Sequence, residues 1–255
     1  MNVFVFVFSP TGGTAEAAAA VASGMGDQAE IVDLCDRGGT FSAALPQPDD
    51  AAVIAVPSYG GRVPEPALRR LAAVRANGTP AVLVCTYGNR AYDDTLVELR
   101  DAAEKAGFLV AAGAAVVTEH AIVRQFASGR PDGADRRRLK EFGSEVLSRI
   151  RSEQPFSPMF PGTRPYRKAP SLRMVPKADR DLCIGCGICA EKCPVGAIDK
   201  ADPRRTDAGR CISCQRCVSV CPHKARRLNP IVTAMAGWFL RRACSVPKQI
   251  EFFID

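Results

Sequence analysis

The sequence predicts an α/β fold: a doubly wound, five-stranded parallel sheet, followed by a small α+β unit rich in cysteine. Three observations carry this expectation. Short apolar runs alternate with helical segments through residues 1–153. Eight of the eleven cysteines crowd between positions 183 and 221. Prolines recur through 154–176, between those two regions. At 255 residues and 47% apolar composition, the chain is long enough for one well-packed domain and a smaller appendage.

The elements follow in order. Val3–Phe8 is an unbroken apolar run, as a strand buried on both faces requires. Thr14–Met25 is alanine-rich and helical. Glu30–Leu34 and Ala51–Val56 are the second and third strands. Pro66–Arg75 is a helix with proline near its start. Pro80–Thr86 is the fourth strand, Tyr92–Ala106 a helix ending at Gly107, Phe108–Val117 the fifth strand and Asp135–Arg151 the last helix. Strands alternating with helices imply parallel pairing with helices on both faces. This divides the chain into 1–153 as the first domain, 154–176 as a stiff basic linker, 177–229 as the cysteine-rich domain and 230–255 as a tail. Within the tail, Ile231–Leu240 is expected to form a helix packed across the two domains. A membrane-surface helix is its rival, disfavoured because the stretch itself holds no basic residue and only Arg241 and Arg242 follow it.

The cysteines repeat one spacing. Cys183-x2-Cys186-x2-Cys189-x3-Cys193-Pro194 recurs as Cys211-x2-Cys214-x2-Cys217-x3-Cys221-Pro222. Thiolates two residues apart let one loop wrap an iron–sulfide cube, and Gly185 and Gly187 let the backbone pass close to sulfide. Paired four-cysteine zinc sites match this spacing poorly, and disulfides belong to exported chains, whereas Val3–Phe8 is too short for a signal sequence and lacks a basic segment before it. Residues 177–229 resemble a bacterial ferredoxin along their whole length. The resemblance implies two [4Fe–4S] clusters, with the fourth cysteine of each motif ligating the other cluster: Cys183, Cys186, Cys189 and Cys221 on one, and Cys211, Cys214, Cys217 and Cys193 on the other. Cys35, Cys85 and Cys244 read as small buried hydrophobes, and His223 as a neighbour of the cluster.

The formal charge of +7 is unevenly distributed: −3 over 1–153, +4 over 154–176, +5 over 177–229 and +1 over 230–255. An oxidised cluster with four thiolates is a dianion, so much of the basic excess balances the clusters themselves. Nucleic acid is therefore not an expected partner. The basic linker residues Arg164, Arg167, Lys168 and Arg173 suit either an acidic redox partner or a solvated tether. No run of residues is apolar enough to span a bilayer, membrane association is not expected, and the many cluster cysteines fit a reducing cytoplasm.

After the first strand comes Ser9-Pro10-Thr11-Gly12-Gly13-Thr14, a hydroxyl-rich turn at a helix start and so a natural anion site. It lacks both the Gly-Lys-Ser/Thr of a Walker loop and the GxGxxG fingerprint. The segment resembles the phosphate loop of flavodoxins, which implies FMN. Pro57-Ser58-Tyr59-Gly60-Gly61-Arg62 and Tyr87-Gly88-Asn89-Arg90, with Tyr92, lie where a flavodoxin places its isoalloxazine loops. All three loops leave carboxyl ends of strands, where open α/β sheets bind ligands. Tyr59 and Tyr87 suit stacking on the ring. His120 and Gly129-Arg130-Pro131-Asp132 read as structural, with a role near flavin or substrate as the alternative. The whole chain thus resembles flavodoxin–ferredoxin fusion proteins. That implies an intracellular electron-transfer protein acting with a redox partner; the alternatives are an FMN-dependent reductase of a small acceptor and an iron–sulfur redox sensor. Without a pyridine-nucleotide signature, direct oxidation of NADH is not expected.

Overall fold

The computed structural model describes residues 1–152, 155–168 and 173–254. The main sheet comprises β1 (Val3–Val7), β2 (Ala29–Asp33), β3 (Ala51–Pro57), β4 (Pro80–Tyr87), β5 (Leu109–Val117) and one strand from the tail, in spatial order 2-1-3-4-5-tail. The first five are mutually parallel. The 2-1-3-4-5 order with parallel pairing is the flavodoxin-like doubly wound arrangement. Helices α1 (Gly13–Met25), α2 (Glu65–Leu71), α3 (Thr95–Lys105) and α4 (Gly133–Arg151) cover its faces. The alternation in Val-Phe-Val-Phe-Val sorts them. Val3, Val5 and Val7 join the core beneath α1 and α4, while Phe4, Phe6 and Phe8 join the core beneath α2 and α3. Helices α1 and α4 approach closely because Gly24 and Gly143 face each other's backbones, where a Cβ would collide with Lys140 O or Val21 O.

Two expected helices change their ends. The one expected from Tyr92 starts at Thr95, because Asp93 has φ 43° and so breaks the helical path just before it. The one expected to reach Arg75 stops at Leu71, where the chain turns and Ala76 and Gly78 bond to the end of α3 and the turn after it, at Ala106 O and Gly107 O.

The expected five-stranded sheet is corrected to six. Glu251–Phe253 pairs antiparallel with β5, aligning Gly113 with Phe253. Phe252 stacks on Phe142 of α4 with ring centroids 4.6 Å apart, and Phe253 meets Phe160 edge-on at 5.6 Å. Phe160 belongs to the proline-rich segment, whose residues 154 and 169–172, Pro170 among them, lie outside the described residues. Residues 155–168 run as a strap over α3. Asp94 accepts from Thr163 N at 2.9 Å and Arg167 N at 2.7 Å, Asp101 pairs with Arg164, and Arg100 donates to Pro158 O.

Downstream come a short antiparallel ladder, β6 (Lys177–Ala178) with β7 (Arg226–Arg227), and two one-turn helices, α5 (Ile188–Glu191) and α6 (Arg216–Ser219). Helix α7 (Pro230–Cys244) and β8, the tail strand already described, complete the chain. The expectation that the tail helix is packed across the domains is also corrected: only Gly237 and Cys244 are buried, and its large apolar side chains face outward. The inner side holds small residues that settle against Val123 and Phe126, leaving the larger ones without protein cover.

Candidate functional site

The two cysteine motifs fold into two cages. Their left-handed residues recur at a constant offset of 28 positions: Gly185 with Ser213, Gly187 with Gln215, and Gly196 with Lys224. The cysteines share that offset, so one local path is used twice. The second copy adopts it without glycine, a cost tolerated where the surroundings hold the loop in place. A Cβ at Gly185 or Gly187 would meet nothing, so glycine serves conformation there (φ 76° and 77°).

One cavity is lined by Cys183, Cys186, Cys189 and Cys221. A second is lined by Cys193, Cys211, Cys214 and Cys217. Each cage thus takes three thiols from one motif and the fourth from the other. Among the described residues, no three His, Cys, Asp or Glu side chains converge as a single metal ion requires. Four thiols around one cavity are the ligand set of a [4Fe–4S] cluster. Backbone N–H groups donate to ligand sulfurs at equivalent places: Ala197 N to Cys193 Sγ and Ala225 N to Cys221 Sγ, both 3.3 Å. Burial pushes the Cys217 thiol up to about 12 and raises Cys211 and Cys214 as well. These groups become thiolates only against a cationic centre such as iron.

The cages differ in exposure. Cys186 is exposed, with exposed Leu182 and Ile184 beside it, whereas all four thiols of the second cage are buried. The second cage lies against the N-terminal domain. Arg216, next to Cys217 on α6, donates to Ser9 O at 3.1 Å, and Ser219 donates to Pro10 O at 3.2 Å. Arg70, 6% exposed, spans from Leu34 O to Pro194 O. Ile212 packs on the N-terminal core, as does Tyr59. Burial raises the Tyr59 pKa, and the nearby Cys214 and Cys35 thiols add to the rise. Nothing in the residue pattern had singled out Arg70, Arg216 or Ser219, because their partners are backbone carbonyls distant in sequence.

The anion-site turn is built as a strand–helix junction. Ser9 Oγ accepts from Ala15 N at 2.9 Å, and buried Thr14 shares a 2.7 Å hydrogen bond with Thr86, tying the first turn of α1 to the end of β4. Pro10 is buried, Gly13 is half-buried, and Thr11 and Gly12 remain open to solvent at the start of α1. Pro57, Ser58, Tyr59 and Gly60 are half-buried, Gly61 is buried, and Gly88 lies against the His120 ring. Tyr87 is 3% exposed and its hydroxyl has no partner. The hydroxyl turn and the orphaned phenol at the sheet's carboxyl end fit a bound polar cofactor.

Four residues of the expected set are engaged elsewhere. Asn89 donates to Cys244 O at 2.9 Å and Val246 O at 3.0 Å and accepts from Lys248 N at 3.0 Å, so its amide locks the tail. Arg62 binds Glu98 and reaches Arg167 O in the strap. Arg90 pairs with Asp93. Tyr92 donates to Glu251 at 3.0 Å. His120 Nδ1 accepts the N–H groups of Ile122 and Val123, while Arg130 grips Asp135 and Asp132 caps α4. Both segments therefore have structural partners.

Residues 168–226 match the family model of the 4Fe-4S dicluster domain. No curated protein matches the chain. Similar solved structures include oxidised Flavodoxin 1 from Bacillus cereus, 16% identical, covering 58% of this chain and 98% of that one at a TM-score of 0.44. A flavodoxin, WrbA-like protein from Agrobacterium tumefaciens is also 16% identical, covering 60% and 99% at a TM-score of 0.41. Strand order and cysteine cages define the class: a flavodoxin-like α/β domain joined to a ferredoxin-type 4Fe–4S region.

Proposed function

We propose that this chain is an intracellular electron-transfer protein that holds two [4Fe–4S] clusters in its cysteine cages and FMN at the 9–14, 57–62 and 86–92 loops. The observation that carries the reading is the seating of α6, which bears Cys217, on the Ser9–Pro10 turn. Each cluster supplies one-electron steps and a flavin one- or two-electron chemistry. The residues of this chain supply position. The exposed first cage suits an external redox partner, and the buried second cage faces the N-terminal loops. Among the described residues no helix is long and apolar enough to cross a membrane. Anaerobic purification with assay of iron, sulfide and FMN tests the proposal: about eight iron atoms and about one FMN per chain are expected. Full iron with no flavin, even after FMN is added, would leave a ferredoxin-type protein with an interaction domain.

A second reading, an FMN-dependent reductase, draws on an open cleft beside Asn89, lined also by Phe126, Arg130 and Arg241. Single-turnover oxidation of the reduced protein by quinones and nitro compounds decides it. Failure of every small acceptor, alongside fast reaction with a protein acceptor, would remove this reading.

A further inference from the structure

Helix α7 carries large apolar side chains on the wrong side for a core helix. Ile231, Met235, Trp238 and Phe239 are 56–72% exposed, and Val232 is 43% exposed. At 100° per residue they occupy one arc of about 120°. The opposite arc, with Ala236, Gly237, Leu240 and Cys244, rests on the protein. Trp238 and Phe239 meet edge-to-face at 5.0 Å, forming a continuous aromatic patch. Exposed apolar surface of this kind marks a docking face.

The charge around the patch identifies what covers it. From Lys224 to Ile250 the chain has six basic residues and no acidic one. Arg226 is used internally, on Pro176 O and Thr206, and Arg227 pairs with Asp179. Lys224, Arg241 and Arg242 are left exposed. An open groove runs alongside α7, lined by Arg241 and Trp238, and by Arg124 and Arg227, which pair with Glu119 and Asp179. An apolar stripe bearing Trp and Phe, flanked by arginines whose stems can extend along it, is the composition of a helix lying in a lipid–water interface. The helix itself is too short to span the hydrocarbon. We infer that α7 docks the protein flat on a membrane leaflet carrying anionic headgroups, with the aromatic patch in the interface and the arginines against lipid phosphates. Arg241 and Arg242 follow the apolar stretch directly; what the linear sequence did not show is that its large side chains face outward beside them.

Trp238 is the only tryptophan, so its emission reports on this helix alone. The full-length, iron-loaded protein is titrated with vesicles of phosphatidylcholine, and of phosphatidylcholine mixed with phosphatidylglycerol, following Trp238 emission and co-sedimentation. Blue-shifted emission and pelleting with the anionic vesicles are expected. The M235S/F239S and R241E/R242E variants, altered only at exposed positions, should keep their iron content and bind at least about tenfold more weakly. No binding to anionic vesicles, or equal binding to both compositions, would overturn the inference. So would a concentration-dependent dimer, without lipid, that already shields Trp238, because the patch would then belong to a second copy.

Discussion

At the scale of single residues, long-range contacts go to groups that the sequence read otherwise. Asn89 stands in a loop expected to hold flavin, yet all its amide bonds go to the tail. Its φ of 64° favours Asn or Gly. Asn89→Gly keeps that conformation and removes three hydrogen bonds, so unfolding should cost about 2 kcal/mol less, read as a lower denaturation midpoint with unchanged slope. If loss of the side chain leaves stability untouched while flavin affinity falls, the amide belongs to the cofactor after all. The crossed cages make a second prediction. Cys193→Ser should disrupt the buried cage and Cys221→Ser the exposed one, each losing about half the iron. The cluster left in C193S should then be stripped quickly by a chelator, and the one left in C221S slowly. The reverse order would mean that each motif closes on its own fourth cysteine.

At the scale of elements, the strap over α3 is an electrostatic device that the proline pattern only hinted at. Asp94 is held below the ordinary Asp value of 3.8 by the Arg167 and Thr163 N–H groups, and Asp101 by Arg164 and Tyr166. Carboxyls whose folded pKa is lowered contribute their stability above the unfolded value and lose it as pH falls through the folded one. The strap should therefore be firm at neutral pH and loosen as pH drops below 3.8. Asp94→Asn should loosen it already at neutral pH, so that trypsin cuts after Arg167 or Lys168 in the variant and spares the wild type. Equal resistance of the two would show that Phe160 and the Arg164–Asp101 pair hold the strap unaided.

At the scale of the whole molecule, groups that join the two halves include Arg70 on Pro194 O, Arg216 on Ser9 O and Ser219 on Pro10 O. Removing Arg216 and Ser219 side chains together should weaken the seating of α6 by about 1 kcal/mol per lost bond. Iron and FMN content should hold while rapid-mixing traces show slower exchange of electrons between flavin and clusters. An unchanged rate would place the route elsewhere. The sequence by itself determined the parallel sheet, through apolar strand runs that alternate with helical segments, and the two cages, through a cysteine spacing repeated at a constant offset. Both leave a short-range signature in the chain: each strand is an apolar run of its own, and three of the four ligands of each cage lie within seven residues. The sixth strand, the tail locked on Asn89, the arginines joining the halves and the outward face of α7 were decided by tertiary structure. They depend on backbone carbonyls and apolar surfaces brought together from positions more than a hundred residues apart, and no local pattern encodes that meeting.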